Sequence, residues 1–297
     1  NTTGAQNVAV GSEALENNTS GHENCAIGMQ ALEENTTGVR NNAIGSNALD
    51  KNTTGSYNTA LGAYSLRDST TGNDNTALGY KALLVNTTAH RNVGVGNSAL
   101  GAVTTGGENT AVGEQAGQHI TTGTLNTAVG RHALTKQTTA SNNTAIGAYA
   151  CRYNNNATGC TAVGLEALRG TSDGTPLSGN FNTAAGHQAL KVITTGYDNT
   201  SVGAHSLVAC TTGYENAAFG VEALNDLTTG QGNAAFGHQA LRLVTTSDWN
   251  VGLGEWAGQD ITSGANNICL GYASGSSASP NGSLTTGSNY IVVGNNS

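Results

Sequence analysis

Residues 52–66 read NTTGSYNTALGAYSL, with NTTGVRNNAIGSNAL at 35–49 just upstream and STTGNDNTALGYKAL at 69–83 just downstream. Aligned on the glycine that closes NTALG, the chain carries Gly11, Gly28, Gly45, Gly62, Gly79, Gly96, Gly113, Gly130, Gly147, Gly164, Gly186, Gly203, Gly220, Gly237, Gly254, Gly271 and Gly294. The steps are 17 residues, broken only by 22 before Gly186 and 23 before Gly294. Such a fixed period is the mark of a repeat architecture. Residues 1–297 are therefore one array of seventeen copies.

Numbering the anchor Asn as position 0, the unit is N-[TVA]-A-[VIL]-G-x-x-A-L-x-x-x-T-T-G-x-x, and only Cys160 and Tyr290 replace the anchor. The extra residues fall near 169–176 and 275–284, in the arc between AL and TTG, which marks that arc as a loop able to grow outward. A unit this short holds no helix pair or propeller blade, and its glycines oppose a helix. Positions 1 and 3 alternate with the small residue at position 2, so NTALG is expected to be a short strand. The fold predicted is all-β: a parallel β-solenoid with one coil per repeat, each strand pairing in register with the strands before and after. At ~4.8 Å per coil it would be a rod of roughly 80 Å.

The position 4 glycine is present in every copy, which implies a positive φ or a backbone too close for a Cβ. At position 14 Ala89, Ala140 and Ser247 stand in for glycine, so a turn preference is expected there. The anchor Asn is expected to cap a turn or bond to the Asn of the next coil, forming a ladder. Positions 2 and 3, like Ala82 and Leu83, pair a small with a large apolar residue on opposite faces; one face fills the thin interior and the other calls for cover by a second or third chain. Position 11 is Asn18, Asn35, Asn52 and Asn86 early but Ile193, Leu227, Val244, Ile261 and Leu284 later, so the second half should tuck this arc inward or against a partner. Those early Asn match the N-glycosylation sequon, a match taken as accidental.

Only 10% of residues are charged and 5% aromatic, with 42 Gly and 2 Pro. The net charge of -8 and 11 scattered Lys and Arg argue against nucleic acid as a partner. No apolar run is long enough for a membrane span and no signal segment opens the chain. Cys25, Cys151, Cys160, Cys210 and Cys269 fall at five different positions and read as small buried or tolerated residues. Seven His are spread over mixed positions, and acids at position 16 (Glu23, Asp74, Glu108, Asp198, Glu215) are interrupted by Arg40, Tyr57 and Leu125. No metal cage, calcium nonapeptide, nucleophile elbow or phosphate loop emerges, so no cofactor and no enzyme are expected. Trp249 and Trp256, the only tryptophans, bracket one strand and are the candidate binding residues, as a sugar-stacking platform.

The unit NTTGSYNTALGAYSL resembles the 17-residue repeats of bacterial and phage tail-fibre-domain proteins, and is similar in pattern to the N-x-V-A-I-G repeat in the head of trimeric autotransporter adhesins. The resemblance spans essentially the whole chain and implies a left-handed β-roll in a homotrimer. It also implies an extracellular place, at a cell surface or on a virion, and contact with host-cell glycans or receptors. The function expected is a structural and interaction protein, a rigid fibre or adhesin rod. The chain starts inside a unit and stops after Gly294, and so reads as a piece of a longer array. The alternative is an ice-binding solenoid, from the Thr columns at positions 12 and 13, although adjacent Thr point to opposite faces. A glycan-cleaving fibre would need more than Asp173 in a loop.

Overall fold

The computed structural model describes residues 2–173, 175, 177–277, 279 and 282–294. It divides into two compact units, Asn1–Asn143 and Thr144–Ser297. The first holds strands β1 (Val8–Val10), β2 (Cys25–Ile27), β3 (Asn42–Ile44), β4 (Thr59–Leu61), β5 (Thr76–Leu78), β6 (Val93–Val95), β7 (Thr110–Val112) and β8 (Thr127–Val129). The second holds β9 (Thr144–Ile146), β10 (Thr161–Val163), β11 (Thr183–Ala185), β12 (Thr200–Val202), β13 (Ala217–Phe219), β14 (Ala234–Phe236), β15 (Val251–Leu253), β16 (Ile268–Leu270) and β17 (Ile291–Val293). Within each unit successive strands pair in parallel and in register, Ala60 on Ala77 and Ala218 on Ala235 for example. Both units are parallel β-solenoids with one coil per repeat, as the period requires. No helix among the described residues is long and apolar enough to cross a membrane.

A single coil of three-residue strand cannot satisfy its own backbone, so its amides reach up and down. In the coil of β4, Thr59 N donates to Asn75 O at 2.8 Å, Leu66 N to Ala82 O at 3.0 Å and Thr70 N to Thr87 O at 2.9 Å, all in the following coil. Gly62 N donates to Ile44 O at 2.8 Å and Tyr64 N to Ser46 O at 2.9 Å, both in the preceding one. The position 12 threonines add a side-chain rung: Thr53 Oγ1 donates to Thr70 O at 3.0 Å. Those hydroxyls are committed to the stack. Both lengthened coils leave the register intact, since β10 pairs with β11 and β16 with β17 as elsewhere. Of the two insertions, Gly174, Pro176, Ala278, Pro280 and Asn281 lie outside the described residues.

The corners come from left-handed residues. In the same coil Gly62 has φ +133°, Tyr64 +60°, Leu66 +50° and Asp74 +58°. A left-handed conformation costs a non-glycine residue about 1–2 kcal/mol, and at Leu66 full burial of the side chain offsets it by about 1.5–3 kcal/mol. This corner corrects the expectation for Ala82 and Leu83: both are fully buried, because φ +51° at Leu83 swings its side chain back inward. At the strand the alternation holds, with Ala60 buried and Leu61 45% exposed. The interior is therefore built from positions 0, 2, 7, 8 and 11, and the branched residue at position 3 faces out.

The anchor asparagines form the expected ladder. Asn75 N and Nδ2 donate to Asn58 Oδ1 at 3.0 and 3.1 Å, Nδ2 also donates to Ala89 O at 2.8 Å, and Asn92 N returns to Asn75 Oδ1 at 3.0 Å. In the second unit the ladder runs from Asn182 through Asn199, Asn216, Asn233 and Asn250 to Asn267. Position 11 faces inward in both units, not in the second alone: Asn35, Asn52 and Asn86 are as fully buried as Ile193 and Leu227. Asn35 Nδ2 donates to Asn18 Oδ1 and Asn52 Nδ2 to Asn35 Oδ1, both at 2.8 Å. A second short ladder thus takes the place of the later aliphatic residues.

The glycine columns differ in cause. Gly11 to Gly254 at position 4 have φ between +127° and +142°, and a Cβ on Gly62 would stand 2.6 Å from Gly79 O. At position 14 Gly38, Gly55 and Gly72 lie outside the left-handed region, so the turn preference expected there gives way to close stacking, with a Cβ on Gly72 falling 2.5 Å from Ala89 O.

Candidate functional site

On each strand the side chains of positions 1 and 3 point away from the interior. In the first unit Val10, Ile27, Ile44, Leu61 and Val112 are exposed; in the second Ile146, Val163, Val202, Phe236 and Leu253 are. Each lies in register with its neighbour, so every unit presents an apolar column along its strand face. Phe219 and Phe236 stack with ring centroids 4.8 Å apart and planes 5° from parallel, which is the inter-strand spacing itself. Beside this column, position 1 carries Thr59, Thr76, Thr110 and Thr127 in the first unit and Thr144, Thr161, Thr183 and Thr200 in the second. Their half-buried hydroxyls take no hydrogen bond among the described residues. No charged residue stands at position 1 or 3 in any copy.

Trp249 and Trp256 are not brought together. Trp249 is 57% exposed and its indole lies on Gly232, where a Cβ would meet Cδ1 at 2.6 Å. Phe181 covers Gly159 in the same way. Trp256 is half-buried, tilts against Tyr272 with centroids 5.3 Å apart, and its buried Nε1 has no hydrogen-bond partner among the described residues. The two rings thus pack on different neighbours.

A second feature escaped the sequence. Positions 15 and 16 form an edge along each unit. In the first unit two pairs of opposite charge meet on it, Arg40 Nε with Glu23 Oε2 at 2.7 Å and Arg91 Nη1 with Glu108 Oε1 at 3.1 Å, while Asp74 enters no ion pair among the described residues. In the second, Tyr197 and Tyr214 stack with centroids 4.8 Å apart and planes 9° from parallel, next to Asp198 and Glu215, which are exposed and enter no ion pair among the described residues. The signal was available, since the dipeptides Tyr197-Asp198 and Tyr214-Glu215 stand one repeat apart.

Chemistry elsewhere is sparse. His187 and His205 meet edge-on at 5.0 Å. Glu13, Glu16 and Glu33 bring carboxylate oxygens within 4.8 Å of one another on the surface. Burial, then the negative charge of Asp50 and the two other members, raises the Glu33 carboxyl above its ordinary value. A cleft of about 370 Å³ lies between Asn73, His90, Arg91 and Glu108, where Gly107 contributes no side chain. Cys151, Cys160, Cys210 and Cys269 are fully buried and Cys25 is partly so; all five are free thiols. Where Cys160 replaces the anchor Asn its thiol donates to Gly179 O at 3.5 Å and to Thr158 O at 3.7 Å, and burial pushes it up to about 11. Comparison with protein-family models and with curated protein sequences returns no match.

Proposed function

We propose that the chain is a structural and interaction protein: an extracellular fibre or adhesin segment, of tail-fibre or surface-adhesin type, that presents or contributes to receptor or glycan binding at a cell or virion surface. It works without cofactor or catalysis and assembles with copies of itself, as a homotrimer of left-handed coils. The observation that carries this is the apolar column at position 3. Contiguous exposed apolar surface of this kind marks an interaction site. Its ridges recur at ~4.8 Å, so a partner with the same repeat matches them along its length. Light scattering on the purified chain tests it. A trimer has a mass of about 89 kDa, three times the 29.8 kDa chain; a species of 29.8 kDa at micromolar concentration defeats self-association.

A second function is favoured by one observation, the free threonine hydroxyls at position 1 beside the aliphatic column. That Thr-x-aliphatic face, and not the pair at positions 12 and 13, is the surface on which an ice-binding solenoid would act. Thermal hysteresis measured on the parent and on Thr110→Lys separates the two: freezing-point depression in the parent that is lost in the variant establishes ice binding, and none in the parent removes it.

A further inference from the structure

The edge of the second unit around Tyr197, Asp198, Tyr214 and Glu215 is a place where the repeat breaks its own rule. Opposite charges face each other along this edge in the first unit, and like charges there cost stability. Asp198 and Glu215 nevertheless stand in successive coils with no Lys or Arg at positions 15 or 16 anywhere in the second unit. Asp248, the third acid of the edge, is spoken for, its Oδ1 accepting from Gln231 N at 2.9 Å. Asp198 and Glu215 have no such partner among the described residues. Two stacked phenols lie beside them, with Tyr197 41% exposed. The Tyr197 hydroxyl is pushed above its ordinary value, first by loss of water and then by the charges of Tyr214, Glu215 and Asp198, so the rings sit in a field of negative sign.

The molecule also shows what fills such a setting. On the same edge of the first unit Arg40 is held between an acid and a tyrosine: its Nε donates to Glu23 at 2.7 Å, its Nη1 donates to Tyr57 Oη at 3.3 Å, and its Cζ lies 5.6 Å from the Tyr57 ring centroid. Carboxylate and aromatic ring together suit a guanidinium, which takes up hydrogen bonds in its plane and a ring against its face. The same edge of the second unit offers both groups, tyrosines at position 15 and acids at position 16, and carries no arginine.

We infer that the Tyr197, Asp198, Tyr214 and Glu215 edge is a docking site for an arginine-bearing basic segment of a partner protein, its guanidinium meeting carboxylate and phenol as Arg40 meets Glu23 and Tyr57 in the first unit. The inference goes beyond the fibre or adhesin function and stands whether or not the chain self-assembles, because the edge is separate from the position 3 column.

The probe is a hexa-arginine peptide titrated calorimetrically into the full chain at about 50 mM salt, where exposed charges are only partly screened. Saturable binding at one site per chain is expected. Asp198→Asn with Glu215→Gln should weaken it about tenfold or more, and Tyr214→Leu about threefold or more. Glu13→Gln with Glu16→Gln, which removes the same charge elsewhere, should leave it within about twofold. Far-UV circular dichroism confirms that each variant is folded, and all substituted side chains are on the surface. Absence of saturable binding overturns the assignment, as does equal weakening by the two double variants, which would reduce the attraction to overall charge. Hexa-lysine binding as tightly as hexa-arginine, or a glucosamine oligomer binding more tightly, overturns it as well.

Discussion

Replacing Gly62 by alanine adds one methyl group where the stack has no room. The residue has φ +133°, a region that is essentially glycine's alone, and occupying it costs about 1–3 kcal/mol. The new Cβ would sit 2.6 Å from Gly79 O, whereas ordinary contact begins at 3.4 Å, so the next coil must retreat by about 0.8 Å. The bond from Gly79 N to Leu61 O, 2.8 Å long, would then open to about 3.6 Å and cease to be a hydrogen bond. An unsatisfied amide in that place costs about 1–3 kcal/mol. Against this, alanine stiffens the unfolded chain by about 0.4–1 kcal/mol, which leaves a net loss of about 1–5.5 kcal/mol.

Urea unfolding followed by far-UV circular dichroism measures it, with Gly72→Ala as the comparison. Gly72 is also crowded, at 2.5 Å from Ala89 O, but its φ suits alanine, and Ala89 one coil on already occupies that column. There the amide turns to the position 11 side chain, Ala89 N donating to Asn86 Oδ1 at 3.0 Å. Ser69 Oγ, buried without a partner, is placed to receive Gly72 N in the same way. Gly72→Ala should therefore cost no more than about 1 kcal/mol. Equal losses in the two variants, or a Gly62→Ala chain that unfolds at the parent's midpoint, would refute the reasoning about the position 4 column.

Asn75→Ala leaves Asn92 N without its buried partner and Ala89 O with only the 3.5 Å bond from Asn86 Nδ2, and should cost about 2–4 kcal/mol, read from the same urea curves; Asn75→Cys should cost less, because the thiol of Cys160 in that column donates to Gly179 O as Asn75 Nδ2 does to Ala89 O. Thiol alkylation at pH 8 followed by intact mass should modify Cys25 alone while the chain is folded, since burial pushes Cys160 and Cys269 up to about 11 and Cys210 to about 12, and all five thiols in denaturant. Burial alone would raise the Glu166 carboxyl, but hydrogen bonds from Lys191, Gln188 and Arg169 outweigh it and hold the group at about 2, against an ordinary 4.5. A depressed carboxylate stabilises the fold above its unfolded pKa and loses that contribution as pH falls. The parent's melting temperature should accordingly drop between about pH 4.5 and 2 more steeply than that of Glu166→Gln, and parallel curves would remove Glu166 as the fastening of the coil that carries the first insertion.

The period was legible because the partner of nearly every backbone amide lies one repeat away, so any copy that broke phase would strand its own donors. The anchor ladder was legible for the same reason: Asn58, Asn75 and Asn92 differ in number by the pitch of the coil and nothing else. The direction of the side chains was not. Alternation places Ala60 and Leu61 correctly on a three-residue strand, but it fails at Ala82 and Leu83, where the backbone turns left-handed at a leucine, a residue whose type gives no warning of positive φ. Position 11 was misread for a related reason. The change from Asn to aliphatic residues suggested an inward arc in the second half alone, yet a column of identical amides satisfies itself, and Asn35 between Asn18 and Asn52 is as much an interior residue as Leu227.

The edge of the second unit shows where the same logic reaches function. In a stack, what a residue does is decided by its counterpart one repeat on. Glu23 followed by Arg40 is an ion pair and a matter of stability, whereas Asp198 followed by Glu215 is an uncompensated negative site beside two phenols. Both pairs were present as letters at position 16, and scanning each copy for motifs passes over both. Scanning down a column, where neighbours in space are seventeen residues apart, separates the pair that closes on itself from the pair that remains open to a partner.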